Sequence, residues 1–271
     1  MTRCAGRPTL AALADVLRAG TLDPTLLASD PRAGARALAA RWVRRQARGA
    51  AERRRVAGLF APERDAWAAG YAAVAGVDEV GRGPIAGPVV AAAVVFRAEC
   101  FIPALRDSKQ LRPADREAVY EAILGQGASV GIGMAEVWEI DRLNILGATR
   151  LAWVRALEAL PQPPSFVLLD GNIPAPVPIP QRTIIHGDAR CASIAAASVV
   201  AKVTRDRLMV ALDAQYPDYG FARHKGYRTA DHLRALRRYG PSPVHRTRYL
   251  PDDLLQHPLA SGWGADEKAS T

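Results

Sequence analysis

Lysine is nearly missing from this chain. Of 36 basic residues among 271, only Lys109, Lys202, Lys225 and Lys268 are lysine, and the other 32 are arginine. Arginine-rich codon usage accounts for the ratio as a whole. An ammonium is nonetheless a compact point charge that a guanidinium does not replace, so each surviving lysine is worth locating. Cysteine is scarce too: Cys4, Cys100 and Cys191 lie far apart with no C-x-x-C pair, which argues against a disulfide framework or a zinc site. No apolar run approaches the length of a membrane span. The opening MTRCAGRPTLAALADVLRAG is interrupted by Arg7, Asp15 and Arg18, where a secretory peptide needs an unbroken apolar stretch. A cytoplasmic protein that does not enter membranes is expected.

What is present is a large apolar fraction, 49%, and an uneven positive charge. Residues 1–70 hold 13 arginines and 6 acids, a net of +7, while residues 71–271 contribute only +2 of the total +9. A basic surface attracts polyanions. A solvated basic helix gives the same composition, so both readings stand at this point.

Three segments are expected. Residues 1–70 read as a small helical appendage, with helices over 9–20 and 33–56 and residues 61–73 leading into the first strand. Asp30 and Pro31 stand where a cap and a first-turn proline belong. Arg41, Arg44, Arg45, Arg48 and Arg53 to Arg55 populate one polar face of the second helix. Residues 71–250 form the main domain, and residues 251–271 form a Pro-rich tail. Within the main domain, Val74 to Phe96 reads as two buried strands joined by a tight turn. A loop at 106–112, a helix at 113–125 and a strand at 128–136 follow. Helical stretches at 137–143 and 146–159 precede strands at 166–170 and 182–188. A long helix from Ala189 to about Ala214, a basic aromatic loop at 219–227 and a helix at 229–239 complete a mixed α/β pattern.

Four acids share one placement rule. Asp78, Glu79, Asp170 and Asp188 each lie at or just beyond the C-terminal end of an expected strand, where ligand crevices form in open α/β sheets. Clustered carboxylates repel and cannot all ionise without cations. Oxygen-only ligands favour Mg²⁺ or Mn²⁺ over zinc. Adjacent Asp78 and Glu79 point to opposite faces of a regular strand, so their joint use calls for a bend, which Gly81 and Gly83 permit.

The strings VDEVGRGPIAGPVVAAAV at 77–94, DSKQL at 107–111, LLDGN at 168–172, HGD at 186–188, SIAAASVVAKVTRDR at 193–207 and YGFARHKGY at 219–227 resemble type 2 ribonuclease H, also called ribonuclease HII. They follow that family's order and spacing over about residues 72–250. The leading segment, with DPR at 30–32 and a helix around Trp42, resembles the extension of some bacterial members.

The resemblance implies a ribonuclease-H-like mixed five-stranded sheet flanked by helices. It implies an endonuclease that cuts the RNA strand of RNA–DNA hybrids and nicks DNA 5′ of embedded ribonucleotides. Asp78, Glu79, Asp170 and Asp188 become the catalytic metal ligands, for two Mn²⁺ or Mg²⁺ ions. Gly81, Arg82 and Gly83 become the backbone reader of the ribose 2′-OH, Tyr227 the junction-sensing tyrosine, and Lys109 a phosphate contact. Gln110 stands where the family usually carries a second lysine or similar residue, which leaves one contact in doubt. Lys202 is open between a substrate contact and a helix pair with an acid. The expected partners are RNA–DNA hybrid and ribonucleotide-containing DNA, with the protein acting as a monomer. Two other readings compete: a related nuclease acting on branched DNA, which needs no 2′-OH reader, and a non-catalytic nucleic-acid-binding protein.

Overall fold

The computed structural model describes residues 7–255; Cys4 and the tail beyond Leu255 lie outside the described residues. The chain divides into two compact units, 1–55 and 56–271. In the first, helix α1 (Leu10–Arg18) is capped by Thr9, whose hydroxyl accepts from the Ala12 amide. Helix α2 (Ala33–Leu59) starts just past Asp30, which takes the Arg32 amide at 2.8 Å and the Arg32 guanidinium in a two-point fork. That fork holds the Asp30 carboxyl down to about 2. Leu13, Leu17, Leu27, Ala35 and Ala39 form the small core of this unit. Arg41, Arg44, Arg45, Arg48, Arg53 and Arg54 are exposed and enter no ion pair among the described residues.

The second unit is built on a five-stranded sheet in the order β3-β2-β1-β4-β5. The strands are β1 (Val74–Val80), β2 (Val89–Val95), β3 (Ser129–Ala135), β4 (Phe166–Asp170) and β5 (Gln181–Ile184). Pairing is antiparallel from β1 through β3 and parallel from β1 to β4 to β5. One face of the sheet packs on α6 (Ala192–Gln215) through Val90, Ala92 and Val94. The other packs on α5 (Val137–Glu158) through Ala75, Val77, Ala91 and Leu169. The first turns of α6 lie against the sheet because Gly76 has no Cβ: one there would stand 2.2 Å from the backbone of Ser193. Helix α4 (Pro113–Gly125) packs beside α6.

Two details depart from the expected pattern, and one follows it. Residues 61–73 contain helix α3 (Ala61–Ala68), opened by Pro62 and Glu63 in its first turn. The two expected stretches on either side of Asn144 are both present: α5 is interrupted where Asn144 takes a φ of 62° and its side chain caps the Leu146 and Gly147 amides, starting the second stretch. The expected tight turn between β1 and β2 is an eight-residue loop, Gly81–Pro88.

A C-terminal subcore completes this unit. Helices α7 (Phe221–His224) and α8 (Ala230–Tyr239) surround Phe221, Tyr219 and Leu236, with His232 and His245 buried among them. Burial pulls His232 down to about 4 and His245 down to about 3, the stacked His224 ring and the mutual approach of the pair adding to it. Both are therefore neutral in the fold near pH 7, while in the unfolded chain each titrates near 6.5. Below about pH 6.5 the unfolded chain binds protons that the folded chain does not, so stability falls as the pH drops toward 4. From pH 7.5 to 5 the pair should cost about 4 kcal/mol. Urea unfolding at both pH values checks this, and the pH dependence should flatten in a His232→Gln/His245→Gln protein.

Candidate metal and nucleic-acid site

The register of the sheet decides where the acids go. Val77 of β1 pairs with Leu169 of β4, so Asp78 and Asp170 follow side by side at the ends of neighbouring parallel strands. Both fall on the face that packs against α6. Asp78 is 6% exposed, and it accepts from the Glu79 amide at 2.7 Å and from Ser198 of α6. Glu79 points to the other face, where the Trp153 indole of α5 donates to Oε2 at 2.9 Å and Arg82 pairs with Oε1 at 3.1 Å. The ladder runs unbroken through both residues, so the expected bend is not present there. The two carboxylates instead flank the sheet end from opposite sides.

Asp188 arrives from a different element. β5 stops at Ile184, His186 takes a left-handed φ of 56°, and a single 3-10 turn at Gly187–Ala189 carries the acid before α6 begins. The Gly187 amide donates to Asp170 Oδ1 at 2.7 Å, which joins this turn to β4. At the far side, Glu63 of α3 accepts at Oε1 from the Ser193 amide, the Ser193 hydroxyl and the Cys191 thiol at 2.7, 2.7 and 3.1 Å. That buried carboxylate caps α6 and anchors the segment next to Asp188.

Desolvation, then the charges of Glu79 and Asp170, push the Asp78 carboxyl well above the usual range. Burial likewise raises Glu79, against the Trp153 and Arg82 hydrogen bonds. Burial raises Asp188, with Asp107 and Asp170 adding to it. Lys109 is the cation that answers them. Burial opposes its charge, but Asp107, Asp78, Asp188 and Asp170 together win and hold it above its ordinary value. It sits in a single turn, Ser108–Gln110, capped by Asp107. The Ser108 hydroxyl lies 3.0 Å from that of Ser198 on α6, and Arg116 of α4 holds the turn by donating to the Ser108 and Leu111 carbonyls. Lys202 does not join the site; its ammonium pairs with Asp206 at 2.6 Å one turn along α6.

The loop Gly81–Pro88 is held from beneath by two arginines that sequence reading passed over. Arg205 and Arg246 are fully buried and make no direct ion pair with a carboxylate among the described residues. Arg205 donates to the carbonyls of Ala86, Pro88 and Lys225, and Arg246 to those of Gly81, Arg82, Pro84 and Gly87. Burial pulls them down to about 10 and about 9, and both stay charged at neutral pH. With its carbonyls turned inward, the loop leaves the Arg82 and Gly83 amides without an acceptor among the described residues. Gly81, at φ 95°, has no room for a side chain: a Cβ would lie 2.3 Å from Arg205 Nε. Tyr227, 43% exposed, places its ring edge 3.8 Å from where a Gly83 Cβ would be. The structure thus brings Gly81, Arg82, Gly83 and Tyr227 together, just past the end of the strand that carries Asp78 and Glu79.

Among the described residues no three His, Cys, Asp or Glu side chains form a closed ligand set around one point. The donor chemistry still fits a hard divalent cation. Asp78 is a desolvated carboxylate in no direct ion pair among the described residues, Asp170 is its neighbour, and only oxygen donors are offered. Mg²⁺-type ions are commonly held by one or two carboxylates and complete their shell from substrate phosphate and water.

Residues 75–251 match the family model for ribonuclease HII, and residues 18–67 match that for the ribonuclease HII N-terminal domain. The ribonuclease HII of Geobacillus kaustophilus is 49% identical over 234 residues, covering 86% of this chain and 90% of that protein. That of Desulfitobacterium hafniense is 48% identical over 224 residues, covering 83% and 86%. Among solved structures, ribonuclease H2 of Pyrococcus horikoshii superposes with a TM-score of 0.56 at 27% identity, covering 65% of this chain and 93% of that one. The ribonuclease HII of a PCNA complex from Archaeoglobus fulgidus has the same TM-score at 23% identity over 66% and 96%, and shares the fold. The first family model runs from the second residue of β1 past Arg246, across every strand and loop of the site just described, and the chain belongs to the ribonuclease HII family.

Proposed function

We propose that Asp78, Glu79, Asp170 and Asp188 are the metal-holding, catalytic carboxylates of this enzyme, an endonuclease that cuts the RNA strand of RNA–DNA hybrids and nicks DNA 5′ of embedded ribonucleotides. The observation that carries the assignment is the buried Asp78, in no direct ion pair among the described residues, beside Asp170. The family is dependent on divalent metal, and two Mn²⁺ or Mg²⁺ ions suit the donor set. When bound, they supply activation of a water and stabilisation of the leaving 3′-oxygen. Trp153 and Arg82 orient the two oxygens of Glu79, and the Gly187 amide orients Asp170. The outward amides of Arg82 and Gly83 can hydrogen-bond a ribose 2′-OH, the one group that marks RNA at a single nucleotide. Arg82 and Lys109 hold flanking phosphates, which fixes register without reading sequence. The test is incubation with a DNA duplex carrying one ribonucleotide, with and without Mg²⁺ or Mn²⁺, and mapping of the cut. Cleavage of branched all-DNA substrates without cleavage of hybrids would support the resolvase-like reading instead.

Tyr227 is assigned to sensing the sugar beyond the ribonucleotide, by its exposed ring against Gly83. Tyr227→Ala should lower the rate on a single embedded ribonucleotide by about tenfold more than on a long hybrid, the scale of one lost stacking contact. Equal losses on both substrates, measured as kcat/KM, would leave it a purely structural residue.

The exposed arginines of α2 are assigned to holding duplex outside the cleavage site. Phe60 and Glu63 belong to the second unit's interior, so removing residues 1–70 would damage that core, and substitutions are the cleaner test. Arg41, Arg44, Arg45 and Arg48 changed together to Gln should weaken duplex binding independently of sequence. The slope of log K against log salt should become shallower by up to about 3 to 4 units, because fewer counterions are released. Identical slopes for the two proteins would make these arginines a solvated face.

A further inference from the structure

Three histidines sit behind Tyr227, away from the acids, and their protonation states can be read from their partners. The Ser242 backbone amide points at His245 Nδ1 at 2.8 Å and the Ser242 hydroxyl lies at the same distance, both closer than the Ser242 carbonyl at 3.3 Å. A backbone N–H can only donate, so His245 Nδ1 is bare and its proton is on Nε2. Nε2 of His245 lies 2.9 Å from Nε2 of His232, so His232 accepts there and carries its own proton on Nδ1. That nitrogen is 2.9 Å from the Tyr227 carbonyl, which can only accept. The bonds therefore run in one direction: Ser242 amide to His245, His245 to His232, His232 to Tyr227. His224 stacks on His232 at 4.3 Å between centroids, and its own Nδ1 takes the Gly226 amide. Both members of the relay are almost fully buried, and the groups facing them are the rings of Tyr219, Phe221 and His224.

The two ends of this relay belong to different parts of the site. His245 lies in the segment stitched to the reader loop. It bridges Ala86, its neighbour Val244 accepts from the Gly87 amide, and Arg246 donates from its backbone to Ile85 and from its guanidinium to four loop carbonyls. His232, on α8, ends on the backbone of Tyr227. One direct bond, Ile85 amide to Gly226 carbonyl, also joins the loop to this region. The Tyr227 side chain itself is half-exposed with no hydrogen bond to its hydroxyl among the described residues, so its position depends on how its backbone is held.

We infer that the His245–His232 pair is a positioning device that keeps Tyr227 in register with the Gly81–Gly83 reader, and so sets the preference for a single embedded ribonucleotide over a long hybrid. This rests on the assignment of Tyr227 as the junction sensor. A neutral imidazole pair suits the task because each ring donates on one side and accepts on the other, which makes the spacing between the two segments stiff and directional. A phenyl pair would fill the same volume and fix nothing by hydrogen bonding.

The experiment compares kcat/KM on the two substrates for the full-length protein and four variants. His232→Phe should lower the ratio of single-ribonucleotide to long-hybrid activity by about fivefold, the scale of one hydrogen bond, with little change on the long hybrid. His232→Asn places an amide donor near the Nδ1 position and should recover most of the ratio. Tyr227→Ala should lower the ratio as well, and adding His232→Phe to it should cause no further fall. If Tyr227→Ala leaves the ratio unchanged, the junction-sensor assignment itself fails. If Tyr227→Ala lowers it while His232→Phe keeps the wild-type ratio, the relay alone is overturned. Nitrogen-15 shifts of the histidines in the unsubstituted protein give an answer that needs no variant to fold. They should show His245 protonated on Nε2 and His232 on Nδ1, and the opposite tautomer at either ring overturns the relay.

Discussion

Asp78→Asn is expected to reduce metal-dependent cleavage by at least about a thousandfold, the scale seen when one member of a catalytic unit is removed. The substitution keeps the side-chain volume and an oxygen that can still accept from the Glu79 amide, so the sheet end should keep its shape. What changes is the charge. In the absence of metal, a desolvated carboxylate beside Glu79 and Asp170 is a cost to the fold. Asp78→Asn should therefore unfold in EDTA at the same temperature as the parent or higher. Added Mn²⁺ should raise the melting temperature of the parent by mass action and raise that of the variant much less. A general loss of structure would give the opposite result in EDTA. Asp170→Asn should be equally inactive, and the double variant should be no worse than either single one, because both residues serve one site. Full activity of Asp78→Asn with both Mg²⁺ and Mn²⁺ would remove the metal-site reading.

The parts of the site that were legible in the sequence are those governed by chain position alone. Asp78 and Asp170 each follow an apolar run, and a parallel pairing puts the ends of such strands together. Lys109 stood out because lysine is rare here, and the structure places it among the acids. The relation between Asp78 and Glu79 was harder, because it depends on the face each takes. The strand alternation was read correctly, but the bend invoked to join the two acids is replaced by ligands on both sides: Ser198 from α6 and Trp153 from α5. Nothing local in the sequence pairs Trp153 with Glu79 across 74 positions. The β1–β2 connection departs from the expected tight turn for a related reason. A tight turn was expected because Gly and Pro punctuate it, yet an eight-residue loop whose carbonyls need donors is stable only when distant residues supply them. Those residues are Arg205 and Arg246, and in a chain with 32 arginines two buried ones leave no compositional trace.

Arg246→Met should destabilise the protein by about 3 to 5 kcal/mol and lower cleavage at a single embedded ribonucleotide by roughly a hundredfold. Two effects oppose each other. Methionine removes a buried cation that makes no direct ion pair among the described residues, which by itself favours the fold. It also leaves the carbonyls of Gly81, Arg82 and Pro84 without their guanidinium donor and takes both such donors from Gly87. A buried acceptor left unpaired costs about 1 to 3 kcal/mol, and with four carbonyls involved this side wins. The loop would then turn carbonyls toward any donor or water it can reach, and the outward Arg82 and Gly83 amides would no longer be held where a 2′-OH could meet them. Arg246→Lys distinguishes charge from geometry. A single ammonium keeps the charge but has no planar fork, so it cannot span carbonyls on both sides of the loop. It should recover less than half of the lost stability. Unfolding in urea, together with kcat and KM on the single-ribonucleotide duplex, measures both effects. A loss below about 1 kcal/mol in Arg246→Met, with the substrate preference intact, would mean that the loop holds its shape without the guanidinium and that its glycines and prolines suffice.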